Sequence, residues 1–345
     1  MVASILITGH TGFVGTNLIR AFQKDYDLFG LDIRQGDPTN VPPLPTEKTC
    51  SWDLMDELPE ADTIIHLAGK AHDTANVSAP EEYFEVNLEL TRRIFDHFLQ
   101  SGAATFIFFS SVKAAADNAG GEALTEDRMP DPKTPYGQSK LAAEQYIIKN
   151  IFNENHDAFS TSAATSGFSG SPYLKTTGRR VYILRPCMIH GPGNKGNLNL
   201  LHKVVKRGIP WPLGAFENQR SFLSMDNLVF ALRKLLDGNA RPGIYQVADD
   251  EPVSTNELIR LMARSMNRKP RIWNLPAGFI RGMARAGDLL HLPLNSERLK
   301  KLTESYVVSN RRLKEALCVE RMPVTATVGL LHTLSSFSPK DETQA

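Results

Sequence analysis

The sequence predicts an α/β protein with a doubly wound parallel sheet, and three observations support this. Short apolar, β-branched runs predict buried strands, and stretches with apolar residues at helical spacing lie between them. Strand and helix signals alternate over roughly the first 190 residues, the order that produces a parallel sheet with helices on both faces. Glycines directly after the first run mark a tight strand-to-helix turn. The predicted strands are 2–8, 28–33, 63–67, 105–109 and 180–184, and the predicted helices are 13–22, 81–99, 135–152 and 198–207.

Composition excludes several classes of protein. The 345 residues, 41% hydrophobic and 22% charged, are typical of a soluble globular protein and argue against disorder, collagen and disulfide scaffolds. The formal charge of +1 removes the overall electrostatic drive towards nucleic acid or an anionic membrane, although a local patch is still compatible with it.

The cysteines and the apolar runs predict a cellular location. Three widely spaced cysteines suggest neither a disulfide framework nor a zinc site, and they favour a reducing cytosol. No signal peptide and no apolar run of about 18 residues is evident, so we expect a cytoplasmic protein that does not span a membrane.

A glycine motif follows the first predicted strand. Gly9, Gly12 and Gly15 have the spacing Gly-x-x-Gly-x-x-Gly between a strand and a helix. Glycine permits a turn with positive φ and a close approach of the backbone to a pyrophosphate, whose charge is met by amides at the helix N-terminus. No Gly-Lys-Ser/Thr follows, which disfavours a triphosphate-binding loop. The motif therefore predicts a dinucleotide site.

Acidic residues after the glycines bear on which dinucleotide binds. Asp32 ends the second predicted strand, where a carboxylate accepts hydrogen bonds from a ribose 2′-hydroxyl and repels a 2′-phosphate. This favours NAD over NADP, while Arg34 leaves NADP open because it can hold a phosphate. Asp53 is placed to reach the adenine amino group, with an exposed loop aspartate as the alternative.

A tyrosine, a lysine and a serine form the candidate catalytic group. Thr134 and Pro135 predict a helix start, so Tyr136 and Lys140 lie at i and i+4 on one face. An adjacent ammonium favours the tyrosinate, so we expect a lowered tyrosine pKa and general acid/base chemistry. Ser111 directly follows the strand 105–109 and can polarise a carbonyl oxygen; Ser110 is the competing assignment.

These motifs together resemble a known family. The sequence is similar to extended short-chain dehydrogenases/reductases of the NAD-dependent epimerase/dehydratase family, strongly over 1–152 and more loosely over about 179–320. The segments that carry the resemblance are GHTGFVG at 9–15, Asp32, Asp53, HLAG at 66–69, Val86-Asn87, Ser110-Ser111 and YGQSK at 136–140.

The resemblance implies a Rossmann-type sheet, NAD as cofactor and no metal. It assigns catalysis to Ser111, Tyr136 and Lys140: the tyrosine moves the hydroxyl proton, the lysine binds the nicotinamide ribose and lowers the tyrosine pKa, and the serine steadies the oxygen. Asn87 would help hold the site. The cofactor-binding residues it implies are Gly9, Thr11, Gly12, Phe13, Val14, Gly15, Asp32, Arg34, Asp53, Leu54, Leu67, Ala68, Gly69, Asn87, Tyr136, Lys140 and Pro186.

The later part of the chain is similar to segments that wrap a nucleotide sugar. Arg220 matches an arginine that grips the diphosphate, for which a planar guanidinium is suited; a surface arginine is the alternative. Met188 and the run 114–116 depart from the family pattern and leave the sugar open. The implied substrate-binding residues are Ser111, Lys113, Tyr136, Asn197, Leu198 and Arg220.

These implications lead to one favoured function and two alternatives. We expect a UDP-hexose or UDP-N-acetylhexosamine 4-epimerase that works by hydride transfer at C4. A reductase of a UDP-4-keto-6-deoxy-N-acetylhexosamine in bacterial polysaccharide synthesis uses the same residues once. A non-catalytic dinucleotide-binding module is the alternative of another class. Family relatives are often homodimers, and we expect no nucleic-acid partner.

The chain divides into three regions by this reasoning. Residues 1–186 are expected to form the NAD-binding domain, 187–335 mainly the substrate-binding region, and 336–345 a flexible tail. Residues from about 153 to 178, rich in Ser, Thr and Gly, predict a mobile insertion without regular structure. Because this insertion joins a helix end to a strand start, it should lie at the end of the sheet opposite the ligand crevice.

Overall fold

A computed structural model describes residues 2–32, 44–70, 79–152, 171–194, 196–290 and 295–337. The predicted cofactor residue Arg34, most of the predicted insertion and the tail from residue 338 lie outside these ranges, as do the side chains of Asp56, Asn197, Leu290 and Lys301.

The described residues form a seven-stranded parallel sheet, as the sequence predicts. The strand order is β3-β2-β1-β4-β5-β6-β9, and β7 and β8 form a separate parallel pair. The strands are β1 (Ser4–Thr8), β2 (Asp27–Asp32), β3 (Thr49–Ser51), β4 (Thr63–His66), β5 (Thr105–Phe109), β6 (Arg180–Pro186), β7 (Met188–His190), β8 (Phe222–Ser224) and β9 (Gly243–Val247).

Helices connect these strands and build the region beyond β6. They are α1 (Phe13–Phe22), α2 (Pro80–Phe84), α3 (Leu90–Gln100), α4 (Val112–Ala115), α5 (Pro135–Phe152), α6 (Pro172–Thr177), α7 (Asn197–Lys206), α8 (Met225–Leu236), α9 (Thr255–Ser265), α10 (Ala277–Leu290), α11 (Ser296–Thr303), α12 (Arg311–Ala316) and α13 (Ala326–Ser335). Short 3₁₀ turns cover Thr46–Lys48 and Trp52–Glu57. Among the described helices, none combines the length and the apolar content that a bilayer crossing requires.

Strand alternation places the core on both faces of the sheet. Ile5 and Ile7 pack into one apolar cluster with α1 and α8, whereas Leu6 between them packs into the other with α3 and α5. The strand residues 105–109 divide in the same way, and all five are buried. This two-sided burial explains why the strands are continuous apolar runs.

Two strands of the seven-stranded sheet escape the sequence analysis, as do the paired strands β7 and β8. β3 has the sequence TCS, too short and too polar for an apolar-run signal, and it is held by pairing with β2. β9 pairs with β6 and comes from the stretch expected to serve mainly substrate binding, so the sheet draws on both sides of residue 186.

One part of the expected insertion is regular. Residues 172–177 form α6, against the expectation of irregular chain, because local capping signals suffice there. Ser171 accepts a hydrogen bond from the Leu174 amide and donates to the Ile151 carbonyl, Pro172 begins the helix, and Gly178 ends it with φ +68°. The helix thus lies between the end of α5 and the start of β6.

A buried ion pair joins α5 to β6. Arg185 donates from Nε and Nη2 to the Glu144 carboxylate at 2.9 and 2.5 Å, and both side chains are inaccessible to solvent. Ser110 at the end of β5 donates to the same carboxylate. Because the carboxylate is satisfied from two strands, the pair aligns α5 with the carboxyl ends of β5 and β6.

We predict that Glu144→Ala lowers the free energy of unfolding by about 3–5 kcal/mol, because it removes the carboxylate that accepts from both Nε and Nη2 of the buried Arg185 guanidinium. Glu315→Ala, which removes a solvent-exposed i,i+4 pair with Arg311, is the matched control and should cost less than about 0.5 kcal/mol. Urea denaturation of both variants measures the difference. Equal losses would show that the buried pair is not a strong constraint.

Candidate active site

The glycine turn after β1 has a geometry that only glycine allows. Gly9 has φ +70°, and a Cβ atom there would lie 2.8 Å from the Ala68 nitrogen. A Cβ atom on Gly15 would lie 2.6 Å from the Gly9 carbonyl oxygen. α1 begins at Phe13, and no side chain caps it at Gly12, so the first-turn amides are available to an anion. This cradle fits the pyrophosphate of a dinucleotide.

The predicted ribose ligand is tied to the same turn. Asp32, at the end of β2, accepts a hydrogen bond from the Thr11 amide at 3.2 Å and another from the Thr11 hydroxyl. Asp53 and Leu54 are exposed in the 3₁₀ turn that follows β3. Because β2 and β3 are adjacent and parallel, the predicted ribose and adenine residues share the carboxyl edge of the sheet.

A chain of buried hydrogen bonds connects this turn to the helix after β4. Thr91 donates to the Asn87 carbonyl at 2.6 Å, so its oxygen accepts from His66 Nε2 at 2.9 Å. His66 Nδ1 then accepts from the Thr8 hydroxyl at 2.6 Å, and the Thr8 oxygen accepts from the Ala68 amide at 3.1 Å. Burial, with the nearby charge of Lys140, holds the pKa of His66 well below its usual value, and the neutral ring can serve both partners. His66 is thus a packed, hydrogen-bonded residue and not a catalytic base.

The helix predicted over 81–99 contains a π turn that the sequence does not reveal. Residues 85–89 form this turn between α2 and α3, and Asn87 lies in it with no exposed surface. Its side chain accepts from the Lys70 amide at 2.7 Å and donates to the Ser139 hydroxyl at 2.9 Å. Asn87 therefore links the loop after β4 to the first turn of α5.

The structure separates the two serines after β5. Ser110 donates to Glu144, so its hydroxyl serves the buried ion pair. Ser111 begins α4, accepts from the Lys113 amide at 3.2 Å and is hydrogen-bonded to the Tyr136 hydroxyl. Between the competing assignments, the geometry favours Ser111 as the serine that accompanies the tyrosine.

The pKa of Tyr136 is shifted against expectation. Burial raises it above the ordinary tyrosine value, and the hydrogen bond with Ser111 offsets only part of that rise. The ring also packs edge-on against Tyr83, with centroids 6.2 Å apart. The expected lowering of the Tyr136 pKa by Lys140 is therefore wrong for the described structure. Removing the phenolate from water raises the pKa by more than the surrounding groups lower it.

Lys140 is held in place by contacts with the last two residues of β5. Its Nζ donates to the Phe109 carbonyl at 2.9 Å and lies 5.1 Å from the centre of the Phe108 ring. A Cβ atom on Gly69 would be 3.0 Å from this nitrogen, so glycine leaves room for the ammonium. Burial lowers the pKa of Lys140 to about 8, against the opposing charge of Glu144. The ammonium thus faces the Gly69 loop rather than solvent.

The predicted substrate residues lie on different elements. Lys113 donates from Nζ to the Asp117 carbonyl at 2.7 Å and lies over the Tyr306 ring. Arg220 is partly buried and is paired through its backbone with Val253 and Tyr306. Tyr306 returns to α4 by donating to the Ala116 carbonyl at 2.7 Å. Leu198 is buried in an apolar cluster near the start of α7, and Pro186 ends β6.

Sequence reasoning missed several residues that organise the site. Thr91, Ser139 and Tyr306 make the contacts described above, and Ser139 and Tyr306 have an ordinary sequence context. Thr91 alone had a signal, since a threonine four residues after Asn87 can bond its carbonyl.

Comparison with known proteins decides the family. The sequence matches the NAD dependent epimerase/dehydratase family over residues 5–248, more than half of the chain. The chain belongs to this family. The predicted resemblance, the fold and NAD as cofactor are thereby confirmed.

Individual relatives cover most of the chain. A UDP-glucose 4-epimerase of Vibrio cholerae is 30% identical over 295 residues, covering 80% of this chain and 79% of the relative. An N-acetyl-alpha-D-glucosaminyl-diphospho-ditrans,octacis-undecaprenol 4-epimerase of Escherichia coli O157:H7 is 27% identical over 332 residues, covering 93% and 88%. A UDP-glucose 4-epimerase of Thermus thermophilus, solved with NAD, has a TM-score of 0.67 at 21% identity, covering 97% and 98%.

We predict that Thr91→Val lowers kcat by about tenfold to a hundredfold, because Asn87 loses its support and the site loses its alignment. It should also cost about 1–3 kcal/mol of stability, since the His66 ring loses an acceptor. Thr91→Ser keeps the hydroxyl and should restore kcat. Steady-state kinetics and urea denaturation test both effects; a folded Thr91→Val enzyme with normal kcat would contradict the positioning role.

We predict that Asp32→Asn relaxes the preference for NAD over NADP, because the amide keeps an acceptor for Thr11 while removing the charge that repels a 2′-phosphate. Fluorescence titration with both cofactors should show NADP binding strengthened by about tenfold relative to NAD. Thr11→Val, which removes a hydroxyl but no charge, is the control and should leave the ratio of affinities unchanged. An unchanged ratio in Asp32→Asn would place cofactor discrimination elsewhere.

Proposed function

We propose that this protein is an NAD-dependent 4-epimerase of a UDP-hexose or UDP-N-acetylhexosamine, with Ser111, Tyr136 and Lys140 as catalytic residues. The observation that carries the proposal is the hydrogen bond between Ser111 and Tyr136 at the carboxyl edge of the sheet, with Lys140 buried one helical turn further along α5. The Vibrio cholerae relative, named a UDP-glucose 4-epimerase, supports the reaction class.

The residues around the glycine turn fit the cofactor. The uncapped start of α1 offers amides to the pyrophosphate, and Asp32 offers a carboxylate oxygen to the ribose. Lys140 is placed to donate to the second ribose, beside the Gly69 loop. Bound there, NAD supplies reversible hydride transfer at C4 of the sugar.

Tyr136 moves the proton in this scheme. In the oxidation step the phenolate form of Tyr136 takes the proton from O4, while the hydride from C4 would pass to the bound nicotinamide, which leaves a 4-keto sugar. Both return to C4 and O4 after the ring has turned its other face, so the epimer forms without net redox change. Burial raises the pKa of Tyr136 and favours the phenol, the form that protonates the ketone oxygen when C4 is reduced. The hydrogen bond from Ser111 to the Tyr136 oxygen acts against this rise and favours the phenolate, the form that the oxidation step needs.

Arg220 is proposed to hold the substrate diphosphate, with Lys113 of α4 and with Asn197 and Leu198 of the region 187–335 as further substrate-binding residues. Burial lowers the pKa of Arg220 and Glu304 opposes this, yet a guanidinium remains charged at neutral pH. A diphosphate held at one point leaves the sugar free to turn, as epimerisation requires.

A second candidate substrate is a hexosamine carried on a polyprenyl diphosphate. The Escherichia coli relative, named for such a substrate, matches 93% of this chain, including the region after β9. The same three catalytic residues would act at C4 of the sugar, and Arg220 would hold the same diphosphate.

We place the enzyme in the cytoplasm, without a nucleic-acid partner and as a homodimer. These points follow from the composition and the family resemblance. Sedimentation of the purified protein checks the dimer directly.

The activity is tested by NMR of the sugar during incubation with UDP-glucose, UDP-N-acetylglucosamine or a short polyprenyl-diphosphate N-acetylglucosamine. Formation of the C4 epimer without net change in nicotinamide absorbance supports the proposal. Consumption of NADH only when a 4-keto-6-deoxy sugar is added identifies a reductase instead. Bound cofactor with neither reaction favours a non-catalytic module.

We predict that Tyr136→Phe lowers kcat by about 10²–10⁴-fold while NAD binding persists, because only the proton-transfer group is lost. Tyr146→Phe, on the same helix, is the control. It removes a hydroxyl that donates to Asp96 and should leave kcat about equal to that of the parent enzyme. Unchanged turnover in Tyr136→Phe would refute the catalytic assignment.

A further inference from the structure

The segment from residue 264 to 301 concentrates positive charge. It contains nine lysine and arginine residues and two acidic residues, a net +7 in a chain whose total is +1. Every one of these cations whose side chain the structure describes is exposed: Arg264, Arg268, Lys269, Arg271, Arg281, Arg285, Arg298 and Lys300. The near-neutral total thus conceals one strongly basic segment.

The same segment exposes large apolar side chains. One face of α10 packs inward through Ile280 and Ala284. Away from that face Phe279, Met283 and Leu289 are 59%, 46% and 80% exposed. Phe279 and Met283 are i and i+4 neighbours, and Leu289, also exposed, lies about 1.7 turns beyond Met283 and about 120° away from it around the helix. α10 is therefore amphipathic with its second apolar stripe in solvent.

Neighbouring groups extend this surface on both sides of α10. Trp273, just before the helix, is 55% exposed. Arg271 donates to the Gly208 carbonyl at 3.0 Å. This acceptor is neutral, so the hydrogen bond does not cancel the positive charge of the guanidinium. A cleft of about 600 Å³ lies beside the helix, lined by Phe216, Arg281, Arg285, Leu299 and Lys300 among others.

We propose that α10 docks on the surface of an anionic phospholipid bilayer. The helix lies in the plane of the interface, with Phe279, Met283 and Leu289 at the acyl boundary and Trp273 at headgroup level. The surrounding lysine and arginine side chains contact the anionic headgroups. Helices that bind in this way have an apolar face next to a basic one, the arrangement that α10 presents.

Charge decides between the bilayer and other occupants. A second copy would bring a like surface of +7 against this one, which like-charge repulsion disfavours. Nucleic acid uses basic residues with stacked aromatic or polar groups, and exposed Met283 and Leu289 have no role in such a contact. An anionic bilayer satisfies both the cations and the aliphatic side chains.

Docking through α10 would bring the proposed diphosphate site near the lipid. Phe216 and Glu217 line the cleft beside α10, and the chain runs from them directly to Arg220. The docking itself goes beyond the proposed epimerase activity and does not rest on it.

Vesicle flotation of the full chain tests the docking. We expect the protein to float with vesicles of phosphatidylcholine and phosphatidylglycerol, and to bind vesicles of phosphatidylcholine alone about tenfold less, because the charge attraction is lost. Raising the salt concentration should weaken binding by screening. Trp273 should show a blue shift in fluorescence on binding, and Trp273→Phe should abolish that shift.

Matched variants separate the apolar and the basic contributions. Phe279→Ser combined with Met283→Ser, and Arg281→Gln combined with Arg285→Gln, should each lower binding by about tenfold. Val328→Ser on α13 and Arg311→Gln on α12, both at exposed positions, should leave it unchanged. Circular dichroism of each variant establishes that the fold is retained.

Three outcomes would overturn the docking proposal. Binding to neither vesicle overturns it, and so does binding that the α10 variants do not weaken. If sedimentation shows that Phe279→Ser with Met283→Ser turns a dimer into a monomer, the face is an interface between copies. Because flotation needs no turnover, these results are independent of whether epimerase activity is found.

Discussion

A chain of buried hydrogen bonds runs from Ala68 through Thr8, His66 and Thr91 to the backbone of Asn87, and the site depends on it. It holds the loop after β4 against the glycine turn, and it fixes the position of the π turn at residues 85–89. Each donor in this chain has one acceptor, so all of its hydrogen bonds point the same way along the chain. The arrangement requires a neutral histidine, which donates from one ring nitrogen and accepts at the other. A single lost hydroxyl would leave an unpaired group in the interior, which is more costly than the bond itself is stabilising.

A second buried arrangement, around Glu144, sets the positions of the proposed catalytic residues. Its carboxylate accepts from Arg185 and Ser110, which aligns α5 with two strand ends and occupies one of the two candidate serines. Ser111 is thereby left to pair with Tyr136 on the same helix. Structural and catalytic serines are adjacent in sequence, and only the direction of each side chain separates their roles.

The third feature of the protein is the uneven distribution of charge along its sequence. A chain of almost zero net charge has one segment, 264–301, that is basic and also exposes large apolar side chains. If this surface meets a bilayer, the catalytic site has access to both free and lipid-linked sugars. The proposed chemistry at C4 is the same for both, because it concerns the sugar alone.

Local sequence determined the sheet, the glycine turn, Asp32 and the group of Ser111, Tyr136 and Lys140, because strand periodicity, capping and strand-end position are short-range signals. The π turn at Asn87, strand β3 and the choice between the serines were decided by tertiary contacts. The upward pKa shift of Tyr136 was decided in the same way, since burial depends on what packs around the phenol and not on its neighbours in the chain. Spacing along a helix predicts which groups meet, but only the folded structure establishes how much water they lose.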